Sequence, residues 1–354
     1  MSTALLAAIA VILCILFRIL NVNSQPQKPT LYCKDLSFLD TILKIAPLLQ
    51  EQYIPTRLWG FSGHVQTIVH SIIGRVRCPW PIGERCELLL RDGTTLTYDV
   101  YQSLDQSHED DFTLAICPGI GNTSESVYIR TFVHYAQCHG YRCAVLNHVG
   151  ALQSIPVTAP RIFTYGHTGD YNDMLKNILE NYSNTKIVCI GFSLGGNLVT
   201  KFMGENDRSR SPRIIGGISI CQGYCAIEGT KWLLNWQNFR RFYLYVMTES
   251  MKTIILKHRH VLLSEEVKRR FNLNEREIIA AATLPELDDA YTRLVSSTQH
   301  TNTLYLELAH GGHLGFYEGG LVYPNPVTWL DRALVALVGS LALAHADSML
   351  KTSQ

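Results

Sequence analysis

The sequence predicts an α/β fold built on a mainly parallel, doubly wound sheet. Between residues 112 and 220, short apolar runs rich in β-branched residues alternate with helical patterns. This alternation is typical of parallel strands that are covered by helices on both faces. The second indication is Gly-Phe-Ser-Leu-Gly at 191–195, which stands between a strand pattern and a helix pattern. Such a sharp turn holds its serine above the end of a sheet.

The individual elements follow from hydrophobic periodicity. Strand patterns occupy residues 88–91, 96–101, 112–117, 142–147, 187–190, 214–220 and 303–308. Helical spacing of apolar residues predicts helices at 36–49, 125–138, 169–180 and 327–345. Asp92-Gly93 lies between the first two strands and is a hairpin signal.

Composition excludes several classes of protein. The 354 residues are 47% hydrophobic and 17% charged, with a net charge of +1 and no basic stripe, so we expect no nucleic-acid partner. Cys221 and Cys225 are separated by three residues, but no second cysteine or histidine pair completes a zinc site. We therefore predict neither a metal nor any other cofactor, and the sequence leaves the oligomeric state open.

The chain begins with an apolar segment. Residues 4–20 are apolar except for Arg18, and a helix of that length just spans a bilayer core when the arginine reaches the interface. We expect an uncleaved, single-pass membrane anchor. The alternative is a cleaved signal peptide, although neither a basic start nor a clear cleavage site is present. Arg18, Lys28 and Lys34 follow the segment, and the positive-inside rule then favours a cytoplasmic position for the rest of the chain.

The predicted organisation has three parts. The anchor and its flank occupy 1–23, a polar linker occupies 24–35, and one large domain occupies 36–354. Within that domain, residues 225–298 break the strand–helix alternation and carry aromatic residues at helical spacing. Such a helical insertion either forms a lid over a pocket or packs on the sheet as ordinary core, and the sequence favours neither.

Ser193 is the candidate nucleophile. A serine hydroxyl is a poor nucleophile at neutral pH and needs a base within hydrogen-bond reach. In this architecture the base follows the last strand, where both His310 and His313 stand. We choose His313, because its glycine-flanked turn can carry the imidazole back over Ser193.

Two backbone N–H groups are candidates for the oxyanion hole. A developing oxyanion needs preorganised donors, and one of them should be the N–H of Leu194, which follows the nucleophile. The other should come from the turn after an early strand, where Ile120 lies in the run Cys-Pro-Gly-Ile-Gly-Asn at 117–122. The alternative is that this run is a plain Pro-Gly loop.

These motifs resemble those of the α/β-hydrolase superfamily, and more narrowly the membrane-anchored acylglycerol lipases and esterases of the α/β-hydrolase domain-containing protein 2 type. The matching stretches span nearly the whole chain after the linker: 53–55, 62–67, 74–77, 118–120, 128–133, 140–150, 191–197, 221–224 and 311–316. The resemblance implies an α/β-hydrolase fold, Ser193 as nucleophile, His313 as base and a single-pass, type II anchor, which would place the domain on the opposite side of the membrane from the one that the positive-inside rule favours. It also implies monoacylglycerols and related lipid esters as substrates.

One part of the family pattern is missing. The family carries its catalytic acid in an Asp-Asp-Pro turn after a penultimate strand, and this sequence shows neither the strand nor the turn. Asp288 and Asp289 are the remaining candidates for the acid, but they have helical surroundings and resemble an Asp-Asp pair in the family's lid. We interpret the chain as lacking a segment with one late strand, as in a shortened splice form or an error of gene prediction.

Two functional hypotheses follow. The first is a membrane-anchored serine hydrolase that cleaves lipid carboxylic esters through an acyl-enzyme, impaired by the loss of the acid. The alternative is a weakly active or inactive membrane-tethered protein that binds lipids or regulates on the same fold. A haloperoxidase or an acyltransferase is a third choice. Asn122 and Asn181 begin glycosylation sequons, which offer a test of membrane orientation.

Overall fold

The computed structural model describes residues 3–75, 77–105, 111–205, 210–223, 226–237, 240–291 and 304–352. The chain is divided into two compact units. The first unit comprises Met1–Trp80, Arg130–Tyr135 and His300–Gln354, and the second comprises Pro81–Ile129 and Ala136–Gln299.

The elements are numbered in chain order. The α-helices are α1 Thr3–Leu20, α2 Leu36–Ile45, α3 Gly63–Ile72, α4 Val127–Gln137, α5 Gly169–Asn181, α6 Leu194–Glu205, α7 Ala226–Leu233, α8 Arg240–Lys257, α9 Arg259–Leu262, α10 Glu265–Phe271, α11 Glu275–Ala280, α12 Leu284–Tyr291 and α13 Trp329–Thr352, with a 3-10 helix at Pro47–Gln50. The strands are β1 Thr30–Cys33, β2 Glu84–Leu89, β3 Thr95–Tyr101, β4 Phe112–Cys117, β5 Arg142–Asn147, β6 Lys186–Phe192, β7 Ile214–Ile220 and β8 Leu304–Glu307.

The second unit is organised around a six-stranded sheet in the order β2-β3-β5-β4-β6-β7. The hairpin β2–β3 is antiparallel, β3 is antiparallel to β5, and the remaining pairs are parallel. Every residue of β4 is buried, because helices cover parallel strands on both faces. Because β4 and β6 pair in parallel, their carboxyl ends are neighbours in the middle of the sheet. This is where α/β folds place their ligand sites.

The first unit is built from the two ends of the chain. Strand β1 pairs antiparallel with β8, from Thr30 opposite Glu307 to Cys33 opposite Leu304. A small core surrounds Tyr53, whose hydroxyl donates to the Tyr317 carbonyl oxygen (2.6 Å). Its other members are the buried residues Ile42, Ala46, Leu49, Trp329 and Ala333.

The fold class predicted from the sequence is confirmed, and three details differ. The strand expected at 303–308 pairs with β1 instead of joining the large sheet, because alternation identifies a strand but not its partner. The expected linker contains β1. The expected helix at 36–49 ends at Ile45, because Pro47 disfavours helical backbone at the preceding residue. The described residues of the predicted insertion form the helices α7 to α12 and their connections, whereas residues 225, 238, 239 and 292–298 lie outside the described chain.

Two helices of the described residues are long and apolar enough to cross a membrane. Helix α1 has a mean hydropathy of 2.7, and none of its length is buried. The window Trp329–Ala346 of α13 has a mean hydropathy of 1.3 and is 39% buried. Burial of α13 against the first unit's core is ordinary for a helix of a globular domain, whereas α1 lacks such a core contact.

Candidate active site

Ser193 lies in the sharp turn between β6 and α6. Its φ is +54°, which is the left-handed region that non-glycine residues seldom adopt. The strained turn is held by its backbone, because the Ser193 N–H donates to the Ile220 carbonyl oxygen of β7 (2.8 Å). The half-buried side chain thus leaves the sheet at the carboxyl end of β6, as the sequence predicts.

Two glycines allow this turn to form. A Cβ at Gly191 would overlap the backbone of Gly195, and a Cβ at Gly195 would overlap the carbonyl oxygen of Cys117. The start of α6 therefore packs directly on the end of β4. A Cβ built at Gly119 would lie 3.5 Å from the Cβ of Ser193, so the turn that follows β4 passes beside the candidate nucleophile.

Two buried side chains hold the turn after β4. The Gly119 N–H donates to the hydroxyl of Tyr128 (2.9 Å). On the other side, Nε2 of His148 lies 2.9 Å from the Pro118 carbonyl oxygen. Since a carbonyl only accepts, this nitrogen carries the proton. Burial lowers the pKa of His148, and the neutral ring stacks on Phe163 with 4.7 Å between centroids.

Sequence motifs alone identify neither Tyr128 nor His148 as functional. Both lie in stretches that carry the family resemblance, 128–133 and 140–150, and this is the only signal that the sequence offers for them. Their role is to position the backbone of the turn after β4. The Tyr128 hydroxyl accepts from the Gly119 N–H, and His148 donates to the Pro118 carbonyl oxygen.

A cavity of about 140 Å³ opens beside this turn. Its walls come from the turn after β4, the start of α6, the loop 162–166, α8 and α12; the lining residues are Ile120, Ile162, Phe163, Thr164, Tyr165, Gly166, Leu194, Met251, Ile255, Leu284, Leu287, Asp288 and Tyr291. An apolar cavity of about this size binds benzene in an engineered protein. The space is therefore large enough for a ligand group of several atoms.

The predicted insertion contributes both to this cavity and to the core. Ile255, Leu262 and Leu287 are buried in the same cluster as the sheet residues, as ordinary packing would require. Met251 and Leu284 face the cavity, as a lid would. Phe239, one of the aromatic residues noted in the sequence, lies outside the described chain.

The two candidate acids face different spaces. Asp288 lines the cavity that Ile120 and Leu194 also line, whereas Asp289 lines a separate cavity beside Arg161. Desolvation, and to a lesser extent the charge of Asp289, raises the pKa of Asp288 to about 6. Both aspartates lie in α12, in agreement with the helical surroundings predicted for them.

His313 lies in the first unit, in the loop after β8. Its backbone N–H donates to Oγ1 of Thr67 (3.0 Å). Although part of the residue is exposed, desolvation lowers the pKa of its imidazole, which favours the neutral form that a general base requires. The competing His310 is occupied differently, since its Nε2 donates to the Gln25 carbonyl oxygen (2.8 Å).

The second unit thus brings together four of the six predicted site residues. Ser193 is adjacent in the chain to Leu194, which shares a cavity with Ile120 and Asp288. Asp289 lines another cavity of the same unit. His313 belongs to the other unit, and its pairing with Ser193 stays a prediction from the order of the sequence.

A strand–turn–helix with a central serine, beside a parallel sheet, defines a class of hydrolases. A profile described as "alpha/beta hydrolase fold" matches residues 113–309, which is more than half of the chain. The protein therefore belongs to the α/β-hydrolase family, and the resemblance inferred from the motifs is confirmed.

Its relatives include proteins named for lipid hydrolysis. The chain is 62% identical to Abhydrolase domain-containing protein 2 of Drosophila melanogaster, with 98% of each chain covered. It is 38% identical to monoacylglycerol lipase ABHD2 of Mus musculus, covering 95% of this chain and 91% of the relative. It is 25% identical to phospholipase ABHD3 of Mus musculus, covering 90% and 86%.

The alignment with the Drosophila protein also shows a difference in length between the two chains. The alignment extends over 392 positions, whereas 98% of this 354-residue chain is about 347 residues. The difference, 392 minus 347, is about 45 positions that the relative has and this chain lacks. Because both chains are covered almost completely, these positions lie inside the matched span.

Replacing Asp288 with Asn should stabilise the protein above pH 6 and not at pH 4. The pKa of this carboxyl in the folded protein is about 6, above its ordinary value, so folding disfavours the charged form. The penalty is absent below the unfolded pKa and complete above the folded one. Because Asp288 is exposed and solvent screens such a group, we expect the melting temperature to rise by only about 2 °C at pH 8.

The measurement is thermal unfolding of the full-length protein in detergent at the two pH values. Asp40→Asn is the matched control for the exchange of an aspartate for an asparagine, because Asp40 is exposed on a helix of the other unit. If Asp288→Asn changes the melting temperature by the same amount at pH 4 and pH 8, the raised pKa of Asp288 is contradicted.

Proposed function

We propose that this protein is a membrane-anchored serine hydrolase of lipid carboxylic esters, with Ser193 as nucleophile and His313 as base. The observation that carries the proposal is the positive φ of Ser193 in a glycine-bounded turn beside a cavity. Backbone strain of this kind persists only where the surroundings impose it, and it is concentrated at functional sites.

The chemistry assigns one task to each residue. His313 takes the proton of the Ser193 hydroxyl as the oxygen attacks the ester carbonyl, and the N–H groups of Leu194 and Ile120 stabilise the oxyanion. Collapse of the intermediate expels the alcohol, which receives the proton from His313. Water then attacks the acyl-enzyme by the same steps, which releases the carboxylic acid product and restores the Ser193 hydroxyl.

The proposed substrates are monoacylglycerols and related acyl esters. Support comes from two relatives, which are named a monoacylglycerol lipase and a phospholipase. The cavity is consistent with such substrates, because Ile120, Leu194 and Leu287 give it an apolar wall while Thr164 and Asp288 add polar groups. Helix α1 would keep the enzyme at the membrane where these esters reside.

The proposed activity is weak, because the acid of the family pattern has no counterpart in the sequence. Exchanging the acid for its amide in a serine protease lowers kcat about 10⁴-fold with the geometry kept. The missing positions relative to the Drosophila protein support the idea that the acid was lost with a deleted segment. The absence of this acid also favours the second candidate function, which is a membrane-tethered lipid-binding or regulatory protein.

Ser193→Ala should abolish labelling of the protein by a fluorophosphonate probe, because the probe phosphonylates an activated serine. Ser250→Ala is the matched control, since Ser250 is exposed on α8, and labelling should not change. His313→Ala should slow labelling at least about 100-fold through loss of the base, whereas His310→Ala should have little effect. Labelling that survives in Ser193→Ala contradicts the nucleophile, and the reverse order of the two histidine variants contradicts the base. A folded wild-type protein that is never labelled supports the second candidate function.

Asp288→Asn and Asp289→Asn should each retain most of the esterase activity of the parent chain. Their positions in α12 lack the preceding strand from which the family's acid projects. The measurement is monoacylglycerol hydrolysis or, if turnover is at background, the rate of fluorophosphonate labelling. A loss of 100-fold or more in one variant but not the other would identify that aspartate as the acid and overturn this interpretation.

Carbonate extraction should leave the full-length protein in the membrane pellet. Ile9→Arg/Leu13→Arg should move it to the supernatant, because each central arginine adds about 2.5–3.5 kcal/mol to insertion. Recovery of the parent chain in the supernatant would count against a spanning α1. A mobility shift on deglycosylation would place the domain on the lumenal or extracellular side, since Asn181 is exposed.

A further inference from the structure

Helix α8 presents an apolar surface to solvent. Phe242, Tyr245 and Val246 are 57%, 48% and 45% exposed, and their spacing of three and four residues places them on one helical face. Trp232 and Trp236, which precede the helix, are 57% and 75% exposed. We call these five residues the aromatic face.

The buried residues of the same helix are mixed in character, because Leu244 and Ile255 are apolar and two others are polar. Thr248 and Lys252 are buried, and Lys252 donates to the carbonyl oxygens of Ile279 (3.0 Å) and Ala281 (2.9 Å). A surface helix of a soluble protein ordinarily turns its apolar stripe to the core and its polar side to water. The first half of α8 buries Leu244 but keeps the large side chains of the aromatic face in water, so hydrophobic packing within the protein does not explain its outer surface.

Two arginines complete the surface. The guanidinium carbon of Arg240 lies 4.8 Å from the ring centroid of Trp232, and that of Arg241 lies 4.8 Å from the ring centroid of Trp236. Each tryptophan therefore carries a cation over its face. The surface therefore combines exposed aromatic rings with positive charge, whereas an apolar patch that had merely lost its cover would carry no such charges.

We propose that the aromatic face, with Arg240 and Arg241, docks on a lipid bilayer whose headgroups are acidic. Tryptophan and tyrosine prefer the boundary between headgroups and acyl chains, because their rings are apolar and one atom can hydrogen-bond. Arginines at the same depth attract acidic lipid and place their stems along the apolar layer. The site is a second membrane contact in addition to α1.

A bilayer explains the surface better than a protein partner. The same chain carries α1, an exposed apolar helix of bilayer length, and a protein held at a membrane meets lipid at high effective concentration. Phe242, Tyr245 and Val246 project from one convex helix face. Such a face inserts into a fluid interface without needing a complementary groove.

The experiment measures tryptophan fluorescence of the full-length protein reconstituted into vesicles that contain brominated phosphatidylcholine, with or without phosphatidylserine. Bromine quenches only rings within the bilayer. We expect quenching in the parent protein that is at least halved in Trp232→Phe/Trp236→Phe. Trp80→Phe is the matched control, because Trp80 is also 70% exposed and has the Arg130 guanidinium carbon 3.9 Å from its ring centroid. Removing this tryptophan, which we expect to be outside the bilayer, should not lower the quenched fraction.

Charge is tested by Arg240→Gln/Arg241→Gln. This variant should lose the increase in quenching that phosphatidylserine produces, whereas Lys257→Gln, at the far end of α8, should keep it. Equal quenching in parent and Trp232→Phe/Trp236→Phe, or no response to phosphatidylserine in the parent, overturns the proposal. In detergent, iodide quenching of these tryptophans that weakens as the protein concentration rises would identify a second copy of the chain as the occupant. That result also overturns the proposal. None of these measurements needs turnover, so their outcome is independent of the catalytic proposal.

Discussion

The start of α6 lies so close to the end of β4 that only glycine fits at residue 195. This contact fixes the position of the helix along the sheet, and the chain between β6 and α6 must then reverse within one residue. Ser193 occupies that residue with a positive φ. The same contact brings the turn after β4 against the nucleophile turn, so one steric constraint places Ser193, Leu194 and Ile120 together.

Local patterns predict this part of the molecule well. The strands at 112–117 and 214–220 and the turn at 191–195 agree with their predicted boundaries or nearly so, because each depends on neighbouring residues. The partner of β8 is not predictable, since its pairing depends on a segment at the other end of the chain. His148 escapes a sequence argument for a similar reason, because its function is a single hydrogen bond to a distant backbone carbonyl.

The candidate acids illustrate the limit of a sequence argument about a pair of identical residues. Asp288 and Asp289 have nearly the same neighbours in sequence, but successive residues of a helix point about 100° apart. One carboxyl consequently lines the cavity beside Leu194, and the other lines a separate cavity near Arg161. Only the helix rotation distinguishes them, and it is set by the burial of Leu287 in the core.

The pairing of β1 with β8 has a consequence for biosynthesis. Residues 30–33 leave the ribosome long before residues 304–307, and the core around Tyr53 also needs Trp329. The first unit therefore completes its core only after the strands of the second unit have been made, although residues 30–53 precede those strands in the sequence. Until Trp329 and Ala333 have been made, Tyr53 and its apolar neighbours lack their partners, and such exposed segments are the ones that chaperones recognise during synthesis. The second unit has no such delay, because its strands are continuous in the sequence and can pair as they emerge.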